Sequence, residues 1–222
     1  MVITMIELLF IIPILFFSVI IHECAHGLVA LFFGDDTAKR EGRLTLNIIR
    51  HVDLMGTIIL PAILLVFYLI TGTGIFFGWA KPVPVNIYKL KNPNRDYVFV
   101  SLAGPLSNIF LALIFALIMP VSMVFFQGYD ALHSLVYIIG YFGVNINLIL
   151  AMFNLIPIPP LDGSHVLSYL LPPSLSQKFK ELGRYGFAII MILIFTDALK
   201  YPFWLADYIS KALISMTINI GL

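Results

Sequence analysis

The sequence predicts an all-α polytopic membrane protein with about five to six transmembrane helices, and three observations carry that prediction. Hydrophobic residues make up 60% of the 222 residues and charged residues only 11%, where soluble domains average about 45–50% and about 25%. The apolar residues fall in continuous runs long enough to cross a bilayer, with a mean hydropathy of +1.00 for the whole chain. Those runs do not alternate, which argues against a β-barrel, the other architecture that satisfies every backbone group in lipid. A net charge of +1 says nothing about nucleic acid, and no basic tract is long enough to suggest it, so no nucleic acid is expected as a partner and the lipid bilayer is the expected surroundings. The single cysteine, Cys24, cannot form an internal disulfide.

In order, a first helix is expected over about residues 3–33, stopped by Gly34-Asp35-Asp36. It has no basic stretch before it and no small-residue cleavage site after it, so it reads as a retained helix. The alternation in Gly42-Arg43-Leu44-Thr45-Leu46-Asn47-Ile48-Ile49 suggests a short strand or hairpin. A second apolar run, Leu54 to Trp79, is broken by Pro61, Gly72, Gly74 and Gly78, and its prolines make Ala80–Asn86 extended. Helices follow at about 98–119 and 134–156, then a break at Pro157-Ile158-Pro159-Pro160-Leu161-Asp162-Gly163, and two apolar stretches at about 185–204 and 205–220. Asp207 and Lys211 in the last stretch suit the membrane interface.

Lys39, Arg40, Arg43 and Arg50, then Lys81, Lys89, Lys91 and Arg95, and finally Lys178, Lys180 and Arg184 mark three basic stretches, whereas Val121 to His133, including Gln127, has none. Cytoplasmic loops retain Lys and Arg, so all three basic stretches are expected on the cytoplasmic side. Both flanks of Leu54–Trp79 then share a side, and this run must be a hairpin or a re-entrant segment; a single ordinary span is the alternative.

Three ionisable residues interrupt the first apolar run at His22-Glu23-Cys24-Ala25-His26. Residues four apart share a helix face, so His22 and His26 can offer two imidazole nitrogens to one metal with Glu23 beside them. Such groups are expensive in lipid and mark function there. Cys24 points roughly 160° to 200° around the helix from His22, which favours packing over ligation. A catalytic zinc takes three protein ligands. The alternating topology brings Asp162 to the membrane level of the two histidines and makes it the third candidate, although before Gly163 it also fits a turn. His51, His133 and His165 read as ordinary polar residues, His165 with a possible accessory place near Asp162. A membrane metal-ion transporter using the same His/Glu/Asp cluster is the competing reading; it needs polar sites spaced along a path, whereas these gather at one level.

The motif, with Ala103-Gly104-Pro105-Leu106-Ser107-Asn108 and Phe153-Asn154-Leu155-Ile156-Pro157-Ile158-Pro159-Pro160-Leu161-Asp162-Gly163 in this order, resembles the site-2 protease family of intramembrane zinc metalloproteases, in a compact form without a PDZ or CBS module. The resemblance implies a single protease domain over 1–222, with a three-helix catalytic core over about 3–165 and C-terminal helices at about 185–220. It implies one Zn²⁺ per chain on His22, His26 and Asp162, water activated by Glu23 as general base, and Asn154 holding the substrate carbonyl or oxyanion. Asn154 could equally cap its helix before Pro157, and Asn108 could orient a metal ligand or join helices. The implied substrate is a transmembrane protein cut near the cytoplasmic face, paired in unwound form with an edge near Val83–Asn86. The implied location is the cell membrane of a prokaryote.

Overall fold

The computed structural model describes residues 5–71, 78–126 and 128–220. Helix α1 (Met5–Phe32) carries Pro13 in its N-terminal half and the HExxH motif in its C-terminal half. A single-turn helix α2 (Thr37–Arg40) follows, then a 3-10 turn at Ile48–His51 and a π-type turn at Leu54–Ile59 that runs into α3 (Leu60–Thr71). An irregular strap over residues 78–86 leads through a 3-10 turn at Ile87–Lys89 to α4 (Pro93–Phe125), which starts with proline at its first position, where the missing N–H has no partner to lose. The chain then forms α5 (Asp130–Asn154), α6 (Asp162–Leu170), α7 (Pro173–Glu181), α8 (Gly186–Phe195) and α9 (Lys200–Ile220).

Helix α4 is the centre of the bundle and packs against α1, α5, α6 and α9. Its inward side chains Leu111, Phe115 and Met119 join Ile14 of α1, Val144 and Leu148 of α5 and Ile214 of α9 in one apolar core. The opposite faces keep large apolar side chains outermost, among them Phe17, Leu28, Leu106, Phe110 and Leu117. Helices apolar on both faces belong in a bilayer, where lipid covers what water could not. Among the described residues, four helices, within Leu9–Phe32, Leu54–Thr71, Pro93–Ser122 and Asp130–Asn154, are long and apolar enough to cross, and the pair Pro173–Phe195 and Lys200–Thr217, bent by 69°, makes a fifth if it counts as one span. With that pair counted, five spans meet the lower end of the expected five to six. The break between the two C-terminal apolar stretches, expected at 204/205, falls instead between α8 and α9, where Asp197 holds a left-handed φ of 55°, and α8, with 10 residues, is about 15 Å long and too short to cross alone.

Of two expectations in the 42–79 region, the strand fails and the returning course of the apolar run holds. No strand forms among the described residues; in the 42–49 segment the Asn47 side chain accepts from Ile49 N–H, and Asn47 N–H donates to the Thr45 hydroxyl. These local bonds bend the chain and displace the ladder that the alternating pattern suggested. The run from Leu54 to Trp79 returns to where it began. Trp79 N–H donates to Gly56 O (3.1 Å), and the Thr57 hydroxyl donates to Trp79 O (2.8 Å). Its two ends therefore share one level, as a hairpin or re-entrant segment requires and a single span does not. Gly72 and Gly74, expected to bend it, and Gln127 of the expected outer loop lie outside the described residues.

Candidate metal centre and active site

The C-terminal half of α1 presents His22 and His26 one turn apart, their rings edge to face with centroids 4.7 Å apart. Asp162, the first residue of α6, closes the third side. His22 Nε2 stands 3.1 Å from Asp162 Oδ2, His26 Nε2 stands 3.4 Å from Asp162 Oδ1, and the two Nε2 atoms are 3.0 Å apart. Helix α6 can start so close because residue 163 has no side chain: a Cβ there would lie 2.1 Å from Leu155 O. Gly104 of α4 forms the floor. A Cβ at 104 would come within 2.5 Å of both His22 Nε2 and His26 Nε2, so glycine here is required by close approach. Asp162 keeps 18% of its side chain exposed, against 12% for His26 and 8% for His22, so it is the most open of the three.

Each histidine is oriented through its other nitrogen. His26 Nδ1 donates to Val100 O (2.7 Å), a main-chain carbonyl of α4, and His22 Nδ1 donates to the Asn108 side-chain oxygen (2.6 Å). With both Nδ1 atoms protonated, neutral rings turn lone pairs on Nε2 toward each other and toward a carboxylate. Three acceptors converging without a donor repel unless a cation lies among them. Ligands about 2.0–2.1 Å from a tetrahedral zinc stand about 3.3 Å from one another. The observed 3.0–3.4 Å separations fit that spacing, and two imidazoles with one carboxylate are an ordinary zinc donor set.

Glu23 lies between the ligands in sequence and points elsewhere. Its Oε2 accepts from Val83 N–H (2.7 Å), so the strap touches the candidate base through its main chain. The strap is itself fixed: Lys81 N–H donates to His51 O, the Arg43 guanidinium donates to Lys81 O, and Asn86 N–H donates to the buried Asp35 carboxylate at 2.6 Å. Pro82 and Pro84 have no N–H, and Val83 and Asn86 have spent theirs. Between Val83 and Asn86, no hydrogen bond among the described residues takes the Val85 N–H. An edge there offers incoming backbone mainly carbonyls, a narrower surface than the extended segment implied.

The remaining candidates lie outside the trio. Asn154 ends α5, and its side-chain nitrogen donates to Leu150 O of its own helix (3.0 Å); no hydrogen bond joins it to His22, His26 or Asp162 among the described residues. The Cys24 thiol faces Thr45 O, on the packing side. His165 stands edge-on to Tyr97 at 4.7 Å in a cleft of about 240 Å³ with Pro159, Ser168 and Lys180. His51 donates from Nε2 to Thr45 O, and His133 pairs with the Ser122 hydroxyl. Sequence reasoning overlooked the Val83 N–H contact, the floor role of Gly104, and Ser18 and Asn147 behind Asn108. Only the last two left a signal, as polar residues inside apolar spans.

Residues 10–194 match the description of peptidase family M50. The chain is 40% identical over 195 residues to YwhC of Bacillus subtilis (strain 168), named as a candidate zinc metalloprotease, covering 84% of this chain and 80% of YwhC. It is 29% identical over 210 residues to Rip2 of Mycolicibacterium smegmatis, likewise named, covering 89% of this chain and 74% of Rip2. No solved structure matches it. With a match that spans most of its length, and with apolar helices that cross a bilayer, the chain belongs to peptidase family M50, the site-2 protease family of membrane zinc metalloproteases.

Proposed function

We propose that this protein hydrolyses peptide bonds of transmembrane substrates near the cytoplasmic face of a prokaryotic cell membrane, with His22, His26 and Asp162 holding one zinc ion and Glu23 as general base. The observation that carries the reading is the convergence of two imidazole Nε2 atoms and the two oxygens of one carboxylate, at 3.0–3.4 Å, on the floor made by Gly104. Zinc held there supplies a Lewis acid and lowers the pKa of water to about 7. The chain supplies the rest. Glu23, one residue from a ligand, takes the proton from water and delivers it to the leaving amine. The Val83 N–H restrains one of its oxygens and leaves the other for this transfer. Asn154 has two N–H bonds and Leu150 O uses one, so the second is free for a developing oxyanion. The carbonyls of the strap accept from the N–H groups that a substrate helix exposes when it unwinds.

Glu23→Gln is the decisive substitution, because the glutamine oxygen can still accept from Val83 N–H while the proton acceptor is gone. Co-expressed with a labelled single-span substrate, the variant should keep its zinc and lose about 10²- to 10⁴-fold in cleavage. Unchanged cleavage removes Glu23 from the base role. A wild-type chain that moves zinc across a vesicle membrane and cuts nothing replaces the protease reading with transport.

A further inference from the structure

Ser18, Asn108 and Asn147 come from three helices, α1, α4 and α5, and all are fully buried in the apolar interior. They form one chain of hydrogen bonds ending at His22. Asn147 Nδ2 donates to Gly143 O (2.8 Å) and to the Ser18 hydroxyl (2.9 Å). Asn108 Nδ2 donates to Asn147 Oδ1 (2.9 Å) and, at 3.4 Å, to Ser18 O. Asn108 Oδ1 receives the proton on His22 Nδ1.

A side-chain amide fits its site nearly as well turned end for end, so a row of amides can run in either direction unless one end is fixed. Gly143 O fixes it, because a main-chain carbonyl only accepts. Asn147 must offer its NH2 there and its oxygen to Asn108; Asn108 must answer with its NH2 and keep its oxygen for His22. Ser18 O, also a carbonyl, favours the same sense on Asn108, but weakly, through a contact of 3.4 Å against 2.9 Å for Asn147 Oδ1. At the end of the row the proton of His22 belongs on Nδ1 and the lone pair on Nε2. Reversed, the row would present an N–H to Nδ1, move the ring proton to Nε2, and turn an N–H toward His26 and Asp162.

We propose that Asn147 is a positioning residue for the metal centre, which passes the direction set by Gly143 O through Asn108 and so holds His22 in its ligating tautomer. The proposal rests on the ligand role given to His22 above. His26 needs no such relay, since Val100 O addresses its Nδ1 directly.

The test reads tautomer and affinity, not cleavage. With five histidines in the chain, ¹⁵N-imidazole labelling of the zinc-free protein should show His22 protonated on Nδ1 in the unsubstituted chain and in Ser18→Ala, which leaves Gly143 O in command. Asn147→Leu leaves only the long 3.4 Å contact with Ser18 O to orient Asn108, too weak to hold it in one sense, and should show mixed His22 tautomers, an unchanged His26, and zinc binding about 10- to 100-fold weaker by chelator competition. Asn147→Asp, in its protonated form, donates its O–H to Gly143 O and keeps its carbonyl oxygen toward Asn108, and should restore both. If Asn147→Leu does not fold, Asn147→Ser is measured in its place, since its hydroxyl satisfies Gly143 O without reaching Asn108. Unaltered tautomer and zinc affinity in the substituted chain overturn the proposal. An unsubstituted chain that binds no zinc overturns the site reading beneath it.

Discussion

The side of the site buried in the bundle and the side facing the strap hold their key residues with different groups. Behind His22, on its Nδ1 side, the partners are neutral: Asn108, Asn147 and Ser18, satisfying one another among apolar side chains. Around Glu23 the partners are charged or main-chain: Val83 N–H on the candidate base, the Asp35 carboxylate on Asn86 and Thr37, and Asp36 between Arg40 and Lys89. Burying an ion costs far more than burying an amide, so in the interior direction is carried by amides. Where the chain leaves the bundle, carboxylates can be used, and they grip backbone N–H groups more strongly than neutral acceptors do. The buried side sets which atom points where, and the strap side sets how firmly a loop is held.

The most severe way to break this division is at Gly104, the floor that both histidines share. Gly104→Ala puts a methyl carbon against both Nε2 atoms and should weaken zinc by at least about 100-fold, the upper end for groups behind a metal ligand; metal content after dialysis measures it. An alanine variant that stays loaded would mean the histidines do not meet there. On the strap side, Asp35→Ala leaves the N–H groups of Asn86 and Thr37 without their acceptor, at about 1–3 kcal/mol for each that stays buried. It should lower thermal stability and cleavage together while zinc content holds, and loss of zinc would erase the distinction between the two sides.

The smallest effect belongs to Asp36. Arg40, and after it Lys89, hold its carboxyl down to about 2 from an ordinary 3.8. A depressed carboxyl stabilises the fold above its ordinary pKa and loses that contribution as pH falls toward about 2. Because Asp36 is solvent-exposed, the gain is small and salt-screened. Melting curves of Asp36→Asn and the unsubstituted chain should therefore nearly coincide at neutral pH in high salt and merge fully in acid.

What the sequence made legible follows the reach of its signals. His22 and His26 share a face by helical spacing alone, and the basic loops brought Asp162 to their level; the structure places the three together. Basic flanks likewise pointed to a returning excursion at 54–79, and the ends meet. The relay through Asn147 was not legible, because Ser18, Asn108 and Asn147 are brought together by the packing of three helices and no spacing along one helix announces it. Nor were the commitments of Val83 and Asn86, since backbone donors leave no trace in residue identity. At 42–49 alternation was a true pattern with the wrong outcome, because Thr45 and Asn47 bind their own backbone.

The joint at Gly56 and Trp79 also bears on how this chain can change over evolutionary time. Two hydrogen bonds close the excursion at its base, and loop-closure entropy grows only with the logarithm of length. Whatever lies between Thr57 and Gly78 can then lengthen, shorten or be exchanged with the register of the strap, and with it the seat of Glu23, left as it is. The base of the hairpin works as a socket, and its contents are the part of the protein most open to being swapped.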